Sequence, residues 1–263
     1  MIAMNHFFRR AAYCLLTATT VGAVLCSPVL TRVHAQAASP AASPAATDPA
    51  LIARGEYLAK LGDCAGCHTA PKQGAPFAGG LAMGSPFGTI YSTNITPDPQ
   101  TGIGHYSYAD FERALRDGVA PGGKRLYPAM PYASFTKISD ADMLALYAYF
   151  MHGVQPVNSR PPETKLPFPF SQRWGLFFWD VAFVRHERFK PDDRHDAQWN
   201  RGAYLSQGLA HCSACHAGRN ALGGDRGAAD FGGGLLAGLG WVAPSLHDPA
   251  EAGVQRWPAA TLQ

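Results

Sequence analysis

Two copies of the pattern Cys-x-x-Cys-His occur in this chain, as Cys64-Ala65-Gly66-Cys67-His68 and Cys212-Ser213-Ala214-Cys215-His216. Cysteines three positions apart lie on one side of a helical turn. Each thiol can there add to one haem vinyl group, while the adjacent histidine offers a ring nitrogen to the iron. This spacing is the attachment pattern of covalently bound haem c. It predicts two haems c, held through Cys64, Cys67, Cys212 and Cys215, with His68 and His216 as iron ligands.

Paired cysteines can also form a disulfide, a zinc site or a thioredoxin-like redox pair. None of them explains why a histidine directly follows the second cysteine in both copies. A zinc site also needs four ligands brought together, whereas the two pairs lie about 148 positions apart and each has its own histidine. Two separate haems therefore fit the spacing better.

The first 35 residues have the features of an export signal. Arg9 and Arg10 precede an apolar run from Ala11 to Leu30 without an acidic residue, and Val33-His34-Ala35 is a small-residue cleavage pattern. The run is also about long enough for a retained membrane anchor, but its threonines and the Ala-rich stretch that follows favour a signal peptide. We expect cleavage after Ala35 or Ala37, which predicts a periplasmic protein.

The charge balance excludes one large class of partners. Lysine and arginine number 22 against 19 aspartates and glutamates, and the first 35 residues carry three of the arginines. The exported chain would therefore be neutral, and nothing in its charge predicts binding to nucleic acid.

Composition divides the rest of the chain. An Ala/Ser/Pro stretch is too poor in large apolar residues to form a core, and prolines cluster again after residue 153. The apolar run over residues 174–184 is too short to span a bilayer; it is interpreted as a helix packed between haem domains, or as a docking or membrane-surface face. The predicted segments are a signal peptide (1–35), a linker (36–50), a first domain (51–153), a Pro-rich linker with an apolar helix (154–195) and a partial second domain (196–263).

The first domain resembles a class I type cytochrome c. Such a protein encloses the haem between an N-terminal helix that leads into the Cys motif and a C-terminal helix, with a methionine-bearing loop before the latter. Residues 51–153 follow that order, and Tyr127-Pro128-Ala129-Met130-Pro131 matches the loop. The resemblance implies Met130 as the sixth ligand of the first iron; the alternatives are Met83, Met143 and Met151. The expected fold is all-α, as tandem cytochrome c domains.

The second domain repeats the first and then stops. Arg54-Gly55-Glu56-Tyr57-Leu58 returns as Arg201-Gly202-Ala203-Tyr204-Leu205, and Gly79-Gly80-Leu81 as Gly233-Gly234-Leu235. Carrying the repeat forward places the counterpart of Met130 at position 281, past the last residue, Gln263. Either the chain is cut short, which we favour and which predicts poor packing of residues 196–263, or His247 or His211 binds the second iron.

The chain as a whole resembles the cytochrome c subunit of membrane-bound periplasmic dehydrogenases of the gluconate, alcohol, sorbitol and fructose type. The resemblance rests on the motifs above, on the segment from Ile90 to Asp98, and on Gly240-Trp241-Val242-Ala243-Pro244. It implies a dehydrogenase catalytic subunit with a flavin or another organic cofactor, and electron delivery towards ubiquinone or another acceptor. It also implies that the chain is held at the cytoplasmic membrane through its partners. A further implication is a contact between a haem propionate and Asn94 or Arg125; the alternative for Arg125 is a solvated charge in a loop.

No catalytic constellation accompanies the haem motifs. The sequence contains no Rossmann glycine fingerprint, no credible nucleophile and base pair, and no open metal triad, so we expect a subunit that is not catalytic alone. Two alternatives remain open at this point: a dihaem peroxidase-like enzyme, which needs one haem with an open sixth position, and a free soluble dihaem shuttle.

Overall fold

The computed structural model describes residues 47–227, 229–236, 240–248, 250–251 and 254–258. The predicted signal peptide and residues 36–46 of the predicted linker lie outside the described residues. The described α-helices are α1 (Pro49–Leu61), α2 (Cys64–His68), α3 (Tyr108–Asp117), α4 (Tyr132–Phe135), α5 (Asp140–Ala148), α6 (Leu176–Phe183), α7 (Ala197–Tyr204) and α8 (Ser213–His216). A wider π-helical turn continues α5 at Tyr149–Gly153 and α7 at Leu205–Leu209.

Helix α1 begins before the end of the predicted linker. Asp48 has an extended backbone and accepts a hydrogen bond from the Ala50 amide at 2.9 Å, and Pro49 occupies the first helical position. Both are strong helix-start signals, because the carboxylate satisfies a free amide and proline needs no amide partner there. The linker prediction is therefore wrong over its last residues, because the helix cap at Asp48 and Pro49 starts a helix there despite the low apolar content.

The later helices begin where the sequence indicates. Ser139 caps α5 by accepting from the Asp142 amide. Ser107 and Asp110 form a reciprocal capping box at the start of α3, and Gly118 ends α3 in the left-handed conformation at φ 61°.

Three short antiparallel ribbons accompany the helices in the described residues, so the all-α expectation was incomplete. Their strands are β1 (Ala82–Ser85) with β2 (Gly88–Tyr91), β3 (Val119–Ala120) with β4 (Lys124–Arg125), and β5 (Gly234–Leu236) with β6 (Trp241–Ala243). Met83 lies opposite Ile90 in the first ribbon, and Leu235 opposite Val242 in the third. The first and third ribbons occupy corresponding places in the two repeats.

Helices α1 and α5 cross in close contact at Gly55. A Cβ atom at this position would lie 2.0 Å from the Ala145 carbonyl oxygen and 2.6 Å from Tyr149 Cβ. Only glycine lets the two backbones approach so far. The crossing is the centre of a core of large buried side chains: Leu58, Phe111, Phe135, Ile138, Met143, Leu146, Phe150 and Leu209.

The second repeat joins this core directly. Leu209, which follows α7, is 1% exposed and belongs to the core of the first domain. The buried carboxylate of Asp142 on α5 accepts hydrogen bonds from Arg54 of α1 and, at 2.7 Å, from the Tyr204 hydroxyl of α7, and Arg201 lies 3.8 Å away. Arg54 and Arg201 are the repeated arginines of the sequence, so one carboxylate ties both repeats together.

The predicted apolar helix is α6, and it has two different sides. Its Asp180 is buried, pairs with Arg125 and accepts a hydrogen bond from the Tyr132 hydroxyl, while Trp179 donates to the Leu222 carbonyl at 2.8 Å. This side lies between the Met130 loop and the second repeat, as one of the two interpretations expected. Trp174, Phe178 and Val181 are exposed on the other side. Among the helices that the structure describes, none is both long and apolar enough to cross a bilayer.

Candidate haem sites

Helix α2 holds the first Cys-x-x-Cys-His motif. Asp63 enters it in the left-handed conformation at φ 45°, and α2 spans Cys64 to His68. Both cysteines are free thiols. Burial raises the pKa of the Cys64 thiol to about 12, and the charges of Asp63 and Cys67 add to this shift. Two neutral thiols on one helical turn, beside the apolar core, are the groups that thioether attachment consumes.

The His68 ring is oriented by one hydrogen bond. Its Nδ1 lies 2.7 Å from the Thr93 carbonyl oxygen, which can only accept, so Nδ1 carries the proton and Nε2 keeps its lone pair. Burial lowers the pKa of His68, and the Thr93 bond opposes that shift. A neutral imidazole with a fixed tautomer is the form that binds iron, and such a bond from the distal ring nitrogen is the usual way of fixing it.

The second motif repeats this geometry at α8. His216 Nδ1 lies 2.8 Å from the Pro244 carbonyl oxygen, which again leaves Nε2 as the free lone pair. The amide of Gly233 donates to the His216 carbonyl at 2.9 Å, as the amide of Gly79 donates to the His68 carbonyl at 2.7 Å. The hydrogen bonds around His216 therefore match those around His68.

Two glycines allow the loops to reach the histidines. Gly79 has φ 75°, and a Cβ there would lie 2.5 Å from the Thr93 carbonyl carbon; Gly233 has φ 90°, and a Cβ there would lie 3.0 Å from the Ser245 amide. The repeated Gly-Gly-Leu sequence marked both positions. The loop carbonyls of Thr93 and Pro244 were not predicted, because a backbone acceptor leaves no signal in the side-chain sequence.

The two motifs lie beside each other. His211, the residue before Cys212, has its Nε2 3.1 Å from the carbonyl oxygen of Gly62, which lies two residues before Cys64. A cleft lined by Met130, Trp179, Phe183 and Ala214 joins the methionine loop to the second motif. The fold therefore brings together two cofactor sites that are far apart in sequence.

Met130 lies in a tight turn before α4. Its amide donates to the Tyr127 carbonyl at 3.2 Å, and its side chain is half-buried against the core. The alternatives lie in other environments: Met143 is fully buried within the core, and Met83 is in strand β1. Met151 is in the π-helical turn after α5 and packs against the same core. Met130 lies in the loop that the resemblance assigns to the sixth ligand, and the assignment stays a prediction.

Asn94 and Arg125, the two residues expected to contact a propionate, both have partners within the protein. The Asn94 side-chain amide is buried and donates to the Val157 carbonyl at 2.8 Å, while its oxygen accepts from Thr96. It therefore ties the haem loop to the linker. Arg125 pairs with Asp180 and stacks over the Phe177 ring, with its guanidinium carbon 5.2 Å from the ring centroid. Arg125 is therefore not a solvated loop charge.

The two histidines considered for the second iron have different surroundings. His211 Nε2 is 3.1 Å from the Gly62 carbonyl oxygen of the first repeat, and its ring packs on Phe135. His247 is exposed in the loop that also supplies the Pro244 carbonyl to His216. The described residues contain no group of three or more His, Cys, Asp or Glu side chains that could hold a metal ion, so the zinc alternative gains no site from them.

Both motifs fit haem c on these observations, since each offers free thiols on one turn and an imidazole with its Nε2 lone pair available. The cytochrome c family matches residues 52–153. The first motif lies inside this range, and covalently bound haem c is the cofactor of the chain.

Comparison with curated proteins extends the match beyond the first domain. The chain is 50% identical over 222 residues to the gluconate 2-dehydrogenase cytochrome c subunit of Pantoea cypripedii, covering 81% of this chain and 50% of that protein. It is 43% identical over 228 residues to the fructose dehydrogenase cytochrome subunit of Gluconobacter japonicus, covering 86% and 46%.

A third relative is the cytochrome c subunit of the quinone-type alcohol dehydrogenase of Gluconacetobacter polyoxogenes, 46% identical over 216 residues, with 80% of this chain and 46% of that protein covered. The chain thus spans about half the length of these curated relatives. They confirm the resemblance found in the motifs: residues 52–153 form a domain of the cytochrome c family, and the chain is a relative of the cytochrome c subunits of dehydrogenases.

Proposed function

We propose that this chain is a periplasmic electron carrier, which accepts electrons from the catalytic subunit of a dehydrogenase and passes them towards ubiquinone or another acceptor. The observation that carries the proposal is the pair of matching motifs, built with the same hydrogen bonds and placed side by side. The relatives support a dehydrogenase partner, since they are named as cytochrome subunits of such enzymes.

Each residue of the two sites has a definite task in this proposal. Cys64 and Cys67 anchor the first haem, and Cys212 and Cys215 the second. His68 and His216 are held by the Thr93 and Pro244 carbonyls so that each presents Nε2 to iron. Haem c, when bound, supplies an iron that changes by one electron between the ferric and ferrous states. The repeated motifs support two tandem cytochrome c units within one compact fold.

The partner class supplies the substrate chemistry in this proposal. The catalytic subunit, with a flavin or another organic cofactor, oxidises a sugar, sugar acid or alcohol at the periplasmic face of the cytoplasmic membrane. The signal-like first 35 residues support export of the chain to that side. Peroxidase chemistry gains no support from the relatives, whose names are those of electron-transfer subunits.

The function is tested by reduction with a partner. We expect holoprotein with two haems per chain, measured by mass and pyridine haemochrome, to be reduced when a gluconate- or alcohol-type catalytic subunit and its substrate are added without oxygen. The control is the C212S/C215S double variant, which should accept half as many electrons. Rapid turnover of hydrogen peroxide, with no reduction by any such subunit, would overturn the proposal.

Met130→Leu tests the assignment of the sixth ligand. Leucine keeps the volume of the side chain but has no sulfur, so the first iron should lose its methionine charge-transfer band and its reduction potential should fall, because a thioether favours ferrous iron. Absorption spectra and a potentiometric titration measure both effects.

Met83→Leu is the matched control, since Met83 lies in the first ribbon, opposite Ile90, and not in the Met130 loop. It should leave the spectrum and the potential unchanged. A loss of the band in Met83→Leu, with Met130→Leu unaffected, would show that the assignment to Met130 is wrong.

A further inference from the structure

His211 connects the second haem motif to the first repeat. It directly precedes Cys212, and its Nε2 lies 3.1 Å from the carbonyl oxygen of Gly62, which precedes Asp63 and Cys64. The carbonyl can only accept, so Nε2 must donate the proton. One hydrogen bond therefore joins the residue before the second motif to the end of the helix that leads into the first.

The position of His211 in the repeat explains how it reaches so far. His211 and Asp63 both precede the first cysteine of their motif, and both have a left-handed backbone, with φ 39° and φ 45°. Asp63 makes no side-chain cap of its own helix. At the same place in the second repeat, the longer imidazole crosses to the other repeat and packs edge-on against Phe135, with ring centroids 5.7 Å apart.

Close backbone contact surrounds this bond. A Cβ on Gly62 would lie 3.2 Å from Leu209 Cδ1, and a Cβ on Gly208 would lie 3.3 Å from Lys137 Cβ. Leu209 is buried in the core of the first domain. A shift of the second motif would therefore break the hydrogen bond and the packing together, and the bond is the directional part of the contact.

We propose that His211 is a positioning residue, whose hydrogen bond to Gly62 fixes α8 against the first motif and so sets the separation and angle of the two haems. The inference deepens the proposed function and rests on it only in that both motifs carry haem. Its consequence is that the two attachment sites keep one fixed arrangement, because the contact holds them together.

The test compares His211→Ala with His211→Gln in the full chain. Alanine removes the donor, whereas the glutamine amide can donate to the same carbonyl from a similar distance. Alanine and glutamine would both adopt the left-handed backbone of position 211, so the two variants carry the same backbone strain. Loss of the bond should lower the amide hydrogen-exchange protection of residues 205–216 by about fivefold. It should also weaken the paired positive and negative Soret circular dichroism bands, which report the relative orientation of two nearby haems. Glutamine should restore both signals.

His195→Ala is the matched control, because His195, the last residue of the linker, stacks on Trp199 of the second repeat with 3.8 Å between ring centroids. It should change neither signal. Unaltered exchange and an unaltered Soret couplet in His211→Ala would overturn the inference, and so would loss of both signals in His195→Ala as well. The haem count is measured first. A preparation with one haem per chain contradicts the proposed function itself, and the exchange measurement on residues 205–216 still tests the contact.

Discussion

Gly55→Ala is expected to lower the free energy of unfolding by about 3 kcal/mol, whereas Gly202→Ala is expected to raise it by about 0.5–1 kcal/mol. The two glycines are counterparts in the repeated Arg-Gly-x-Tyr-Leu sequence. They therefore offer a comparison of one substitution at one sequence position in two structural settings.

The opposite signs follow from what each glycine faces. A methyl group on Gly55 would lie 2.0 Å from the Ala145 carbonyl oxygen, a backbone atom that can move only if α1 and α5 separate. Among the described residues, nothing lies within 4 Å of the corresponding position on Gly202. There alanine only reduces the backbone freedom of the unfolded chain and favours the helix.

Urea unfolding followed by far-UV circular dichroism measures both effects on holoprotein. The number of haems per chain is also measured, because separation of α1 from α5 would lower the fraction of chains that attach haem. Equal stability of Gly55→Ala and the natural protein would contradict the crossing of α1 and α5 at this residue.

The repeat was predictable from sequence, but the use of its residues was not. Spacing alone identified both haem motifs, and the Gly-Gly-Leu pairs marked the loops that reach His68 and His216. Arg54 and Arg201 also appeared as a repeated pair. That both arginines approach one carboxylate, Asp142, depends on how α7 packs against α5, and no local pattern contains that information.

The ribbons were missed for a different reason. Strands of two to four residues are too short to show an alternating apolar pattern. The first is positioned by a backbone contact: the Gly80 amide donates to the Ser92 carbonyl at 3.0 Å. The role of His211 could not be predicted either, because its hydrogen-bond partner, Gly62, lies 149 positions away in the sequence. From the sequence alone, His211 was only a possible iron ligand.

The prediction of poor packing over residues 196–263 is met only in part. Tyr204 and Leu209 are buried against the first domain, 7% and 1% exposed. Beyond the motif, Leu235, Trp241 and Val242 are exposed in the third ribbon. The second repeat thus packs well where it contacts the first domain, whereas its third ribbon exposes apolar side chains to solvent.

Asn94→Ala is expected to lower the free energy of unfolding by about 3 kcal/mol. The side chain is 3% exposed and satisfies both sides of a buried polar contact. Its Nδ2 donates to the Val157 carbonyl at 2.8 Å, and its Oδ1 accepts from the Thr96 amide at 2.9 Å and the Thr96 hydroxyl at 2.7 Å. Alanine would leave these groups buried without their partner, which costs more than the net gain of an ordinary hydrogen bond.

The location of the damage distinguishes this role from contact with a haem propionate. Asn94 joins the loop that holds His68 to the linker that leaves the first domain, so hydrogen exchange of residues 154–159 should accelerate together with the loss of stability. A residue that only contacted a propionate would shift the reduction potential of the first haem and leave those amides protected.

Asn158→Ala is the control from the same linker, because its exposed amide makes only a 3.4 Å contact with Gln100. A contact that weak and that exposed should be worth about 0.5 kcal/mol or less. If Asn94→Ala instead proved as stable as Asn158→Ala while the potential of the first haem moved, the buried amide would have to be reassigned to the cofactor. The expected result is the reverse, since every polar atom of the Asn94 side chain already has a partner within the protein.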